Sequence, residues 1–192
     1  MNPNLLLAIL LVVVVRLLGL HSYSIASDAM LPTMRNGDYV MARYYGSSET
    51  PQRGDLMAFR NPRSALPGDW VKRVIGLPGD RIQLRSGLVY VNGVVLGRTR
   101  VGAEGTRGDI YVETTPEGRE YRIMKGEPRR ARDDTSEIVV PAGHYYVLGD
   151  NRDNSADSRD ANVGLVARED VVARMRLVFW GRSRDRLGTW LE

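Results

Sequence analysis

The sequence predicts a mostly antiparallel β protein carried behind one N-terminal transmembrane helix, and three observations predict it. From Gly37 onward the apolar residues fall in short or alternating runs: Asp38–Tyr44, Gly54–Phe59, Trp70–Ile75, Arg81–Leu84, Leu88–Val91 and Tyr145–Leu148. Runs of that length with period two are strands rather than helices. Gly-Asp pairs beginning at 37, 54 and 79 punctuate the runs, and their Asp side chains suit turns closed by local backbone hydrogen bonds. Asn92-Gly93, between Leu88–Val91 and Val94-Val-Leu, is a two-residue hairpin signal.

Taken in order, Leu5 to Leu20 is apolar except for Arg16, slightly short for a span unless the helix continues through His21 and Ser22. Residues 1–22 are therefore read as a transmembrane anchor, with Arg16 reaching toward the interface. The competing reading is a cleavable leader, since Ser24 and Ala26 are small residues at the right spacing. No Lys or Arg precedes the apolar run, which favours the anchor. Ser27-Asp-Ala-Met-Leu-Pro-Thr-Met follows, where Pro32 withholds a backbone donor and pushes Leu31 toward extended geometry. In an extended chain Ser27 and residue 29 share a face, which suits a site where one side chain attacks a carbonyl and another stabilises the oxyanion. Residue 29, however, is alanine.

The β catalytic domain is expected over 23–97 and 137–182. Between them, 98–136 is rich in Arg, Glu, Asp and Gly and reads as a polar β-insertion, with Tyr111-Val and Tyr121-Arg-Ile-Met able to pair as a hairpin. Arg129-Arg-Ala-Arg-Asp-Asp within it reads as a solvated face. The segment from Arg168 to Trp180 predicts a helical turn and a final strand, and 183–192 is a tail without an assigned element.

The 192 residues suffice for one well-buried domain with an insertion. The absence of cysteine removes disulfides and a thiol nucleophile, and with only His21 and His144 a zinc site is not expected. A net charge of +4 fits proximity to anionic lipid, and no basic run with interleaved aromatics suggests nucleic acid. Of the 27 basic residues only Lys72 and Lys125 are lysine. A chain that uses arginine for positive charge and keeps Lys72 beside Arg73 has retained the one side chain of the two that can lose a proton and act as a base.

Three segments carry a resemblance: Ser27–Met34; Gly68-Asp-Trp-Val-Lys-Arg-Val-Ile-Gly-Leu-Pro-Gly-Asp; and Gly149-Asp-Asn-Arg-Asp-Asn-Ser-Ala-Asp-Ser-Arg. In this order, behind a membrane anchor, the chain resembles bacterial type I signal peptidase, the Ser/Lys leader peptidase family, over roughly residues 16 to 180. The resemblance implies a signal-peptidase-type antiparallel β catalytic domain with a β-insertion. It makes residue 29 the nucleophile position and Lys72 its general base, with a pKa lowered by desolvation among Val71, Val74 and Ile75. Ser27, with the backbone N–H of residue 29, corresponds to the oxyanion hole, and Ser155 to the serine that orients the lysine amine. Asp157 and Arg159 correspond to a structural ion pair, with Asp150 and Arg152 bracing the same loop. Asp153 and Asn154 read as turn residues held by local Asx bonds. Ile25, Met30, Met34, Asp69, Trp70 and Val71 correspond to substrate-binding positions that accept small residues one and three places before the cut, Met34 and Val71 being also candidates for ordinary core. Asp69 and Trp70 are expected close to the membrane surface. No metal or cofactor is implied.

The implied function is removal of signal peptides from exported preproteins, by a monomer on the periplasmic or extracytoplasmic side of the bacterial inner membrane and in contact with its lipid. An alanine methyl cannot form an acyl-enzyme, so the chain as written is expected to be catalytically silent. Ala29 is then either a substitution that silences an otherwise complete site, or the mark of a non-catalytic membrane-anchored module that captures signal-peptide-like segments. The intact remainder of the motifs favours the first.

Overall fold

The computed structural model describes residues 2, 5–6, 19–65, 67–126, 130–181 and 186–191. Most of the expected anchor lies outside them, and no helix among the described residues is long and apolar enough to cross a membrane. Its last residues are described, and they correct the expectation of a continuing helix. Leu20–Ser24 is strand β1, antiparallel to β2, Tyr39–Tyr44, in a register running from Leu20↔Arg43 to Ser24↔Tyr39. Ladder pairing with β2 satisfies the backbone of His21 and Ser22 in extended form, which leaves no helical bonds to be made there.

The main sheet adds β3, Leu56–Arg60; β4, Asp69–Gly76; β12, His144–Leu148; β13, Val166–Ala167; β14, Val171–Trp180; and β15, Thr189–Trp190. Its order is β1-β2-β14-β3-β4-β12-β13, with β15 paired to β14. Strand β14 follows a single 3-10 turn at Arg168–Asp170, as the sequence suggests, and β15 supplies an element in the unassigned tail. A second sheet holds β5, Arg81–Arg85; β6, Leu88–Val91; β7, Val94–Val95; and β11, Ile138–Val139. The hairpin at Asn92-Gly93 forms as the dipeptide predicts: Val91 faces Val94, and both turn residues have positive φ, 53° and 81°, the backbone that a tight two-residue turn requires and that Asn and Gly tolerate.

Strands β8, Gly97–Ala103, β9, Asp109–Thr114, and β10, Glu120–Lys125, build a third sheet from the charged stretch, with Tyr111 opposite Ile123. This stretch is less of an appendage than its composition suggests. Tyr121 and Ile123 are buried in the same cluster as Ile75, Ile82, Tyr146 and Leu148, while Ile110 and Met124 bury Leu31. The reading of residues 129–134 as a solvated face fails at Asp133, which is buried and paired with Lys125 at 2.9 Å. A buried carboxylate needs such a partner to offset its desolvation.

The segment 28–34 is a loop, and one of consecutive turns rather than the extended geometry expected before Pro32, with Leu31 N–H donating to Asp28 O at 3.2 Å and Met34 N–H to Met30 O at 2.9 Å. Leu31 and Met34 point inward from it, and Met34 is fully buried with Met30, Val40 and Met175.

Candidate active site

Strand β4 pairs with β3 along its first half, Asp69 with Arg60 through Arg73 with Leu56. Its other neighbour, β12, reaches only as far as Leu148 opposite Arg73. Residues 69–72 therefore keep one backbone edge without a strand partner among the described residues. Facing it are Tyr23 to Ser27, at the end of β1, itself the outer strand of the sheet. Between the two lies a cleft of about 410 Å³ lined from one side by Tyr23, Ile25, Ser27, Ala29 and Met30 and from the other by Asp69, Trp70, Val71 and Lys72. Tyr23 ties the walls together, its hydroxyl donating to Asp69 Oδ2 at 2.9 Å. Burial and the Asp69 carboxylate push that phenol's pKa upward, so it stays a donor.

Lys72 reaches the cleft from a buried stem, with 4% of its surface exposed. Its Nζ donates to the Val71 carbonyl at 3.0 Å and lies 5.4 Å from the centre of the Trp70 ring. Burial pushes its pKa down to about 8 against the opposing pull of Asp157 and Asp150. An amine so placed is still mostly protonated at neutral pH but carries a far larger neutral fraction than an ordinary lysine, and that fraction can accept a proton. Lys125 is the contrast: equally buried, it is held by Asp133 at 2.9 Å and Asp153 at 2.5 Å. One lysine serves as a structural cation and the other has no carboxylate in contact among the described residues.

The loop from Gly149 to Arg159 is fixed by a chain of buried ions. Arg73 takes Asp150 through Nε and Nη2, at 2.8 and 2.7 Å, and Thr33 Oγ1 donates to the same carboxylate at 2.5 Å. Arg152 is held by Glu113 of β9 at 2.7 and 2.5 Å, and Tyr121 donates to that glutamate at 3.1 Å. Asp157 and Arg159 pair at 2.8 and 2.7 Å, as the resemblance implies, and Asp157 also accepts the Gly149 N–H at 3.0 Å. These bonds hold the Asp157 carboxyl below its usual range despite burial. Asp153 is more than the turn residue expected of it, because it accepts from Lys125 and from Gly126 N–H, at 2.5 and 2.6 Å, far along the chain.

Gly149 brings this loop onto the first motif. A Cβ there would collide with the Ser155 side chain and come within 2.7 Å of Ala29 O. Ser155 is thus buried beside residue 29. Its hydroxyl donates to Ala156 O at 3.3 Å, and no bond to the Lys72 amine is formed in this state.

Of the residues the sequence singles out, Ser27, Ala29 and Lys72 meet in the cleft together with Ile25, Met30, Asp69, Trp70 and Val71. Met34 does not: it is core, because the turn at 30–34 rotates it inward. Sequence reasoning missed Tyr23, Glu113 and Asn151. Tyr23 follows the apolar run without a pattern of its own, Glu113 sits in a stretch that reads as solvated, and Asn151 lies inside the third motif with nothing to distinguish it from its neighbours.

A free strand edge beside a buried, deprotonatable amine is a site for handling extended peptide. A family model described as signal peptidase, peptidase S26, matches residues 2–180. The signal peptidase I of Rickettsia prowazekii (strain Madrid E) is 30% identical over 203 residues, covering 90% of this chain and 76% of that protein. That of Rickettsia canadensis (strain McKiel) is 32% identical over 197 residues, covering 86% and 74%. Among solved structures, a signal peptidase I from Enterococcus faecalis V583 shares 30% identity over 65% of this chain and 96% of its own, with a TM-score of 0.40. The chain belongs to the type I signal peptidases, serine endopeptidases of the S26 family.

Proposed function

We propose that this chain is a membrane-anchored signal peptidase whose Ser/Lys chemistry is silenced at one atom. The cleft receives an extended segment of an exported preprotein, pairing with the open edge of β4 and placing small side chains against Ile25, Met30 and Val71. Residue 29 is the nucleophile position and Lys72 the base that would take a serine proton; Ser27 and the residue 29 N–H are the donors for the oxyanion. Ser155, buried beside residue 29, and the Asp157–Arg159 pair keep that constellation in place. With a methyl at residue 29 no acyl-enzyme forms, so the chain binds preprotein and leaves it intact.

The observation that carries this reading is the Lys72 amine: it lies in the same cleft as Ala29, lined also by Ser27, with its pKa lowered to about 8 by burial and no carboxylate in contact among the described residues. Support for a lipid-facing location comes from the apolar N-terminal run and from an exposed aromatic cluster where β2 and β14 meet. There Tyr39 lies 5.3 Å from Trp180 and 6.3 Å from Phe179, ring centre to ring centre. Aromatic rings of this kind favour the membrane interface. The catalytic domain then stands on the extracytoplasmic side, where exported chains emerge.

The test is cleavage of a preprotein in lipid by this chain, by Ala29→Ser, and by Ala29→Ser with Lys72→Ala. The expected results are no cleavage, cleavage after a small residue, and no cleavage. A serine form that stays inactive on a range of preproteins overturns the reading.

A further inference from the structure

The peptide unit between Asp28 and Ala29 is held by a residue with no assigned role. Asn151, 5% exposed, donates its side-chain Nδ2 to Asp28 O at 3.0 Å and its backbone N–H to Ala29 O at 3.1 Å. Both carbonyls that flank Cα of residue 29 are thus tied to one residue of the third motif. The Asp28–Ala29 bond is trans, and in a trans peptide the N–H points opposite to the C=O. Asp28 O also accepts the Leu31 N–H of its own turn at 3.2 Å; the shorter Asn151 bond ties this carbonyl to the third motif, and with it the direction of the Ala29 N–H on the other side. That N–H makes no hydrogen bond with any described residue, and residue 29 lines the cleft. An unpaired backbone donor beside Ser27 is the group the oxyanion reading needs.

Asn151 is itself immobilised. Its neighbour Asp150 is locked to Arg73, its neighbour Arg152 to Glu113, and the backbone of both is bonded to Met124, Met124 N–H to Asp150 O at 2.8 Å and Arg152 N–H to Met124 O at 2.9 Å. The amide side chain is the last link from this rigid frame to the peptide plane that faces substrate.

From this juxtaposition we infer that Asn151 is the positioning residue of the oxyanion site, aiming the backbone N–H of residue 29 into the cleft through its hydrogen bond to Asp28 O. It touches neither substrate nor the reacting atoms. The inference rests on the function proposed above, and it separates Asn151 from Asp150 and Arg152, whose contacts hold the loop rather than the donor.

Two measurements test it. In the Ala29→Ser chain, Asn151→Ala and Asn151→Asp both remove the Nδ2 donor while only the second changes charge. Both are expected to lower kcat by about 10- to 100-fold, somewhat less than deleting an oxyanion donor outright, with KM little changed; in Asn151→Ala the lysine-governed rise of rate with pH keeps its midpoint, and in Asn151→Asp the added carboxylate moves it upward. A purely structural role would instead move kcat, KM and thermal midpoint together, and an Asn151→Asp chain of full activity overturns the inference. The second measurement uses the chain with Ala29, whether or not serine restores cleavage. A peptide ending in a small residue with a free carboxylate is titrated while the Ala29 amide is followed by proton–nitrogen NMR. A downfield shift is expected that Asn151→Ala abolishes. A shift of equal size in both chains, or none in the unmodified one, refutes the positioning role. Failure of Ala29→Ser to cleave bears on the proposed function alone.

Discussion

Arg73 and Asp150 meet through two hydrogen bonds of 2.8 and 2.7 Å in an interior that leaves the guanidinium 1% exposed and the carboxylate not at all. The pair joins the residue next to Lys72 to the residue next to Asn151, so the base and the donor frame are registered to each other by one ion pair. Arg73 also donates to Gly54 O at 2.7 Å and stacks 4.3 Å from the centre of the Tyr121 ring. Replacing Asp150 by alanine leaves this cation buried without its anion. A stability loss of about 3–5 kcal/mol is expected in urea unfolding, and the double change Arg73→Met with Asp150→Leu should recover much of it.

The Glu113–Arg152 pair makes the same argument for the charged stretch. Glu113→Ala is expected to cost about 3–5 kcal/mol, because Arg152 and the Tyr121 hydroxyl both lose their acceptor in a closed interior. An effect within the range of ordinary surface substitutions, about 0.5 kcal/mol, would mean that β9 is dispensable to the loop.

Lys72 gives the pH dependence. In the Ala29→Ser chain the rate should rise with pH through about 8, where the amine becomes neutral, and level off above it. Stability follows with a defined sign. The folded-state pKa lies below the unfolded value, so below pH 8 both states carry the proton and the folded state bears the full cost of a buried ammonium. Between about 8 and the unfolded value, 10.5, only the unfolded chain keeps the proton, and stability rises with pH. Lys72→Met should therefore be more stable than the parent at pH 6, by an amount that shrinks as pH climbs through this window. A stability difference that does not change with pH would show that Lys72 is not held neutral by the fold.

Gly149→Ala tests the contact between the third motif and the first. The added methyl must displace the Ser155 side chain or the Ala29 carbonyl. Overpacking of this kind costs about 1–3 kcal/mol, and here the displaced groups are those of the site. The Ala29→Ser chain with Gly149→Ala should lose most of its activity while retaining its far-UV circular dichroism.

The strands were legible wherever one face alone is buried. Arg81–Arg85 alternates in sequence and in burial, Leu88–Val91 is a short apolar run that alternates in burial, and Asn92-Gly93 announces its turn. Strand β1 was not, since Leu20–Ser24 abuts an apolar run and its own residues are only partly covered. The site motifs were legible as segments, and the cleft brings their key members together. What escaped was the geometry between them. Spacing cannot say that Met34 turns inward while Met30 borders the cleft, nor that Glu113 and Asp133, embedded among exposed charges, are carboxylates that the interior needs. A buried ion pair is a relation between distant residues, and neither partner carries a local mark of it.

The unpaired part of β4 is only residues 69–72, bounded on one side by Pro67-Gly68 and on the other by the start of β12 pairing at Arg73. At ~3.3 Å per residue this edge is a ruler of about 13 Å. It can grip three or four residues of an extended chain and no more. A pairing so short favours a chain that is already extended over one that must first give up structure of its own. A segment already extended can use this edge, lying alongside it.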